Sequence, residues 1–263
     1  MDDILIREDA AGIARLTLNA PARLNALSEA MIAALQESFD ALLTDTSVRA
    51  VILRGAGKAF CAGHDLREMQ GHRQQPDGGR AYFTALFAQC ARMMTTITRL
   101  PQPVIAEVHG IATAAGCQLV ASADMAVAAS DARFGVNGVN IGLFCSTPMV
   151  ALSRNIPRKH AFEMLTTGEF LDAERARALG LVNRVVAPGD LATETRALAE
   201  TVTAKLSSAV RVGKEAFYAQ AEMSLDAAYA YTGRVMAENM LHRDTEEGIG
   251  AFLEKRTPDW STR

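Results

Sequence analysis

An α/β core followed by a helical extension is the architecture that these 263 residues predict. Short apolar runs ending in glycine alternate with amphipathic stretches through the first half. After Pro157 the periodicity is almost wholly helical. No linker rich in Pro, Gly or Ser separates the two parts. Residues 4–7 and 13–18 form a hairpin around Ala11 and Gly12. Ser28 caps a helix that runs to about residue 43. The run 48–54 (VRAVILR) is a buried strand, and so are 104–108 and 125–129. Between the first two buried strands lie a glycine-rich turn, a polar loop over 71–79 suited to a mobile lid, and a helix over 80–100 that stops before Pro101. Strand, turn, helix and strand in repetition imply crossover connections. Beyond residue 157 one β-like run (181–186) interrupts helices over 191–206, 210–220, 225–241 and 245–255, with Asp172, Pro188 and Asp190 at helix starts.

Composition narrows the function classes. Hydrophobic residues make up 49% and charged residues 22%, which excludes disorder. The 27 basic and 30 acidic residues leave a net charge of −3, with no basic excess for nucleic acid. No apolar run is long enough for a membrane span. The acidic start MDDILIRED does not read as a signal peptide, so a cytoplasmic location is expected. Cys61, Cys90, Cys117 and Cys145 show neither CxxC nor metal spacing, so four thiols and no metal are expected.

The informative feature is a pair of strand-to-turn units, 48–69 and 103–124. Each ends a buried strand in Gly and Ala and then enters a helix. Small residues let a ligand approach the backbone, and amides at a helix start are unpaired and electropositive. Two such turns side by side can hold one carbonyl oxygen between two N–H donors, as an oxyanion hole does. Tight packing corners are the other reading of the same residues.

Around these turns the sequence resembles the crotonase superfamily, the enoyl-CoA hydratase/isomerase family. The likeness is carried by 19–27 (NAPARLNAL), 58–66 (KAFCAGHDL), 112–118 (ATAAGCQ), 132–135 (ARFG), 165–168 (LTTG), 178–183 (ALGLVN) and 251–256 (AFLEKR). The resemblance implies a spiral of ββα turns over residues 1–200 and a C-terminal helical trimerisation region over 201–263. Homotrimers, or dimers of trimers, follow from it. It also implies acyl-CoA as the ligand, with coenzyme A part of the substrate and no permanently bound cofactor. The oxyanion amides would be those of His64 and Ala115. Arg23, Leu24, Ala62, Asp65 and Leu66 would contact the CoA, and Phe252 and Lys255 would reach a CoA bound mainly by a neighbouring subunit.

Two departures bear on activity. Family hydratases carry one glutamate three residues after the second oxyanion position and another shortly after the Ala-x-Phe-Gly segment. Gln118 and Gly138 stand there. An amide takes up no proton at neutral pH and glycine offers nothing, whereas such groups contribute roughly 10²–10⁴ each. Efficient two-glutamate hydration is therefore not expected, and a non-catalytic acyl-CoA binder is the alternative. Gln118 would orient a water or a substrate carbonyl, or complete a buried network. Cys145 and Ser146 would supply a nucleophile or a polar contact near the acyl group, or cap a helix with a packed thiol. The His64 ring is expected as a half-exposed neighbour of the ligand.

Overall fold

The N-terminal hairpin forms as the turn residues dictate. In the computed structural model, which describes residues 3–260, β1 (Leu5–Ala10) and β2 (Ile13–Leu18) pair antiparallel with Ala10 opposite Ile13. The left-handed φ of Ala11 (53°) and Gly12 (76°) turns the chain between them. Ser28 then caps α1 (Glu29–Leu42), its hydroxyl accepting from the Met31 amide at 3.2 Å. The chain continues through β3 (Ala50–Gly55), α2 (Leu66–His72), α3 (Arg80–Arg99) and β4 (Val104–Val108). It then forms β5 (Ile111–Thr113), α4 (Ala115–Ser122), β6 (Met125–Ala129) and β7 (Arg133–Gly135). Next come α5 (Pro148–Asn155), α6 (Arg158–Thr167), β8 (Leu171–Asp172), α7 (Ala173–Leu179), β9 (Arg184–Val186) and α8 (Leu191–Thr203).

Six strands make one sheet in the order β1-β2-β3-β4-β6-β9, parallel from β2 onward, and β5-β7-β8 make a second. The parallel strands are apolar on both faces because both are covered. Leu16, Val51, Leu53, Val104 and Ala106 face a core shared with α1, α3 and α4. Ile13, Ile52, Ile105 and Val127 face Leu191 and Ala199 of α8. The short strands β5, β7 and β8 were not expected. Two or three residues are too few to carry a period-two signal.

The loop expected over 71–79 differs. Helix α2 extends to His72, and the following turn is fastened by Asp77, whose carboxylate accepts from the amides of Gly79 and Ala81 at 2.9 Å each. These bonds also hold its carboxyl below the usual carboxylate range. The segment is a built turn, and none of it walls the cavity described below.

The chain divides into two units, Met1–Ala204 and Lys205–Arg263. The boundary expected at 200/201 falls inside α8. The second unit consists of α9 (Ser207–Ala221), α10 (Leu225–Met240) and α11 (Arg243–Glu254). Phe217, Leu225, Tyr229, Met236, Phe252 and Leu253 on these helices are exposed, as is Leu241 between the last two.

Candidate functional site

The two glycine- and alanine-rich turns come together. Cys61 donates its amide to Ile111 O and accepts from Thr113 N, so residues 61–63 run beside β5 as a parallel extension. On the other side Leu27 donates to Gly63 O at 2.7 Å, and the Asp65 amide donates to Leu27 O at 3.4 Å. Backbone alternation therefore turns the His64 amide away from Leu27, toward the start of α4. Gly63 closes the approach. Its φ is 88°, and a Cβ there would lie 2.9 Å from Ala114 Cβ and 3.3 Å from Ala115 N. The Ala115 amide is the first of α4, where no intrahelical acceptor exists. Among the described residues neither the His64 nor the Ala115 amide donates to the chain.

Ala114, between β5 and α4, holds φ 50° and ψ −118°. A non-glycine residue there stores strain of about 1–3 kcal/mol. Its amide is tied to Gly135 O at 2.9 Å, and its carbonyl accepts from Gln118 N at 3.0 Å. The strained link turns the chain sharply enough to bring the helix start against Gly63.

Both amides belong to residues in the wall of one cavity of about 350 Å³. Ala62, Leu66 and Met69 line one side, with Phe87 from α3. Gly138, Ile141, Leu143, Phe144 and Cys145 line another. The polar groups are few. Thr113 Oγ1 donates to Asn137 Oδ1 at 2.6 Å, and Ser146 Oγ donates to Phe144 O at 3.4 Å. Among the described residues no Asp or Glu lines the cavity. Met69, Phe87, Thr113 and Phe144 were not singled out from the sequence. Met69 and Phe87 read there only as helix-face apolar residues, and nothing local marks them as cavity wall.

The other candidates fall in distinct places. Gln118 is buried one helical turn behind Ala115 and is not part of the wall, and its Oε1 has no partner. Asp65, only 6% exposed, caps α2 through the amides of Arg67 and Glu68 and pairs with Arg23 at 3.1 Å. Its carboxylate is thus occupied in fixing the helix that carries Leu66. Leu24 holds a left-handed φ of 51°, and its carbonyl accepts from Ala62 N at 3.0 Å. The adjoining Asn25 is fully buried and bonds Ala20 N, Ala56 O and Ala59 O, so the early segment is stitched to the first turn. Phe252 and Lys255 lie in the second unit, Phe252 exposed and Lys255 at the left-handed end of α11.

Gly138 is tightly enclosed. A Cβ there would overlap the Leu143 carbonyl oxygen and sit 2.9 Å from Cys145 Sγ. The Leu143 amide donates back to Gly138 O at 2.9 Å, and the Gly138 amide donates to the Cys145 thiol. The loop has closed over the place where a side chain would begin. Burial raises the Cys145 thiol above its ordinary pKa, and pushes Cys61, Cys90 and Cys117 up to about 12, so none is a ready nucleophile at neutral pH. All four are free.

His64 is half-buried. Its Nδ1 lies 3.4 Å from Leu27 O, and its ring meets Phe87 edge-on with centroids 5.6 Å apart. Its Nε2 is buried without a partner. Loss of solvation lowers its pKa below the usual 6.5, against a small opposing effect of the Leu27 carbonyl.

Comparison with known proteins gives the family. Residues 8–263 match the enoyl-CoA hydratase/isomerase family. Enoyl-CoA hydratase domain-containing protein 3, mitochondrial, from Xenopus laevis is 46% identical over 250 residues, covering 95% of this chain and 83% of that one. The crystal structure of human enoyl-CoA hydratase domain-containing protein 3 superposes with a TM-score of 0.92 at 41% identity, over 98% of this chain and 100% of that one. An enoyl-CoA hydratase structure from Mycobacterium smegmatis gives a TM-score of 0.95 at 57% identity, over 99% and 100%. Among the described residues no helix is long and apolar enough to cross a membrane. The matched segments, the crotonase-type α/β fold and the paired turns thus lead to one conclusion: the chain belongs to the enoyl-CoA hydratase/isomerase family.

Proposed function

We propose that this protein binds acyl-CoA thioesters and stabilises the enolate form of the thioester, with its oxygen between the amides of His64 and Ala115. The observation that supports this reading is two peptide N–H groups without protein acceptors, both on residues that line one apolar cavity, with Gly63 packed against Ala114 and Ala115. Donors fixed before charge develops stabilise it at no cost of reorganisation, and removing one costs about 10²–10³ in rate. The CoA portion runs past Arg23, Leu24, Ala62 and Leu66, while Asp65 keeps Arg23 and α2 in place. The acyl group fills the space by Met69, Phe87, Gly138 and Cys145. Chemistry of the isomerase or slow-lyase type in fatty-acid metabolism suits a site with an oxyanion hole and no glutamate pair. Gln118 acts through its amide, on a water or through its neighbours.

The exposed apolar residues of the second unit support self-association as a trimer or dimer of trimers, with Phe252 and Lys255 reaching a neighbour's CoA. Four free thiols suit a reducing compartment, and the cytoplasm is the first choice. The mitochondrial relatives make the mitochondrion its competitor.

Titration calorimetry with acetyl-, butyryl- and octanoyl-CoA tests the binding, and heat with saturable stoichiometry is expected. Absence of both heat and thermal shift with every thioester overturns the reading. Crotonyl-CoA absorbance then separates hydration from binding, and wild-type turnover at ordinary hydratase rates would refute the argument from the missing glutamates.

A further inference from the structure

The cavity wall contains two titratable side chains among the described residues, Cys145 and His64. The Cys145 thiol already accepts from Gly138 N. His64 is placed differently. Ala62, His64 and Leu66 all line the cavity. Asp65, the cap of α2, is buried between His64 and Leu66 in the chain.

Leu27 O, facing Nδ1, can only accept. The tautomer that bonds to it carries its hydrogen on Nδ1 and leaves Nε2 with a free lone pair. That nitrogen is buried with no partner in the protein. Buried polar atoms are normally satisfied, so an orphan on a residue of the cavity wall marks a place that a ligand group satisfies once the neighbouring side chains give way. The edge of Phe87 fixes the ring, and burial keeps it neutral.

We propose that the His64 imidazole is the proton-transfer group of this site, taking a hydrogen from the carbon next to the thioester carbonyl whose oxygen the same residue's amide holds. The proposal rests on the acyl-CoA reading above. In the step, the C–H bond breaks and Nε2–H forms. The C–H electron pair becomes the enolate double bond, and the carbonyl π pair moves onto the oxygen between the His64 and Ala115 amides. Return of the proton to the same carbon gives hydrogen exchange. Delivery two carbons along an unsaturated chain gives double-bond migration. No oxidant or second reactant is required. One residue thus serves twice, by its main chain on the oxygen and by its side chain on the carbon.

The two roles separate cleanly, because substitution removes the ring and keeps the amide. Butyryl-CoA is incubated with the protein in D2O and its α-hydrogens are followed by proton NMR, with binding measured by calorimetry. Wild type is expected to exchange them. His64→Ala and His64→Gln are expected to lose exchange by about 10²-fold or more, while the butyryl-CoA Kd stays within about threefold. Exchange in wild type is expected to fall with acidity only below pH 6.5, as the ring gains its proton. Exchange at the wild-type rate in either variant, or wild type binding butyryl-CoA without exchange, overturns the role of the ring and leaves the binding reading standing. Failure of wild type to bind at all overturns both. A variant that fails to fold, judged by its thermal melt, leaves the other and the wild-type pH profile to decide.

Discussion

At the residue scale Gly138 and Ala114 set the character of the site. Restoring a hydratase carboxylate at position 138 is blocked by the Leu143 carbonyl and Cys145 Sγ. Gly138→Glu is therefore expected to lower stability by about 1–3 kcal/mol and to gain no hydration. Thermal melts with crotonyl-CoA assays check this, and a stable, active variant would show that the loop opens readily. Ala114→Gly should do the opposite to stability. Glycine adopts φ 50° without penalty, so a gain of about 1 kcal/mol is expected, read as a higher melting temperature. His64 adds a pH dependence with a definite sign. Its folded pKa lies below 6.5, so between that value and 6.5 the unfolded chain binds more protons. Its contribution is complete above pH 6.5 and is lost as pH falls toward the folded pKa. The fall in melting temperature from pH 7 to 5 should be shallower in His64→Ala than in wild type.

At the element scale the decisive piece is α2, a helix of seven residues whose position depends on its cap. Asp65 bonds two of its first amides and holds Arg23. Asp65→Ala is expected to cost about 0.5–2 kcal/mol and to weaken butyryl-CoA binding by loosening Leu66 and Met69. Calorimetry beside a melting curve checks both, and an unchanged Kd would mean that α2 does not shape the ligand site. Sequence served well for elements of this kind. The Ser28 cap, the strands 104–108 and 125–129 and the helix start at Asp172 stand where local chemistry put them. It read the entry into α2 but not its extension to His72, because a short polar helix with one buried residue, Met69, carries little periodic signal.

At the scale of the whole molecule, the helices α9, α10 and α11 leave large apolar side chains in solvent, among them Phe252 and Leu253 at 82% and 73% exposure. So many apolar groups on one small unit are expected to be covered by other copies of the chain. Sedimentation velocity should give a mass near three or six times 28.2 kDa, and a persistent 28.2 kDa species would remove that expectation. The sequence by itself determined the α/β class, the main strands and helices, the two small-residue turns and the presence of Gln118 and Gly138, because each is written in local periodicity, capping chemistry or residue identity. The tertiary structure alone decided the rest. It set Gln118 behind the cavity wall and shut the loop at Gly138. It also set the His64 ring edge-on to Phe87, with Nδ1 by the Leu27 carbonyl. These depend on which segments, far apart in the chain, pack against one another, and no short stretch of residues encodes the gap between them.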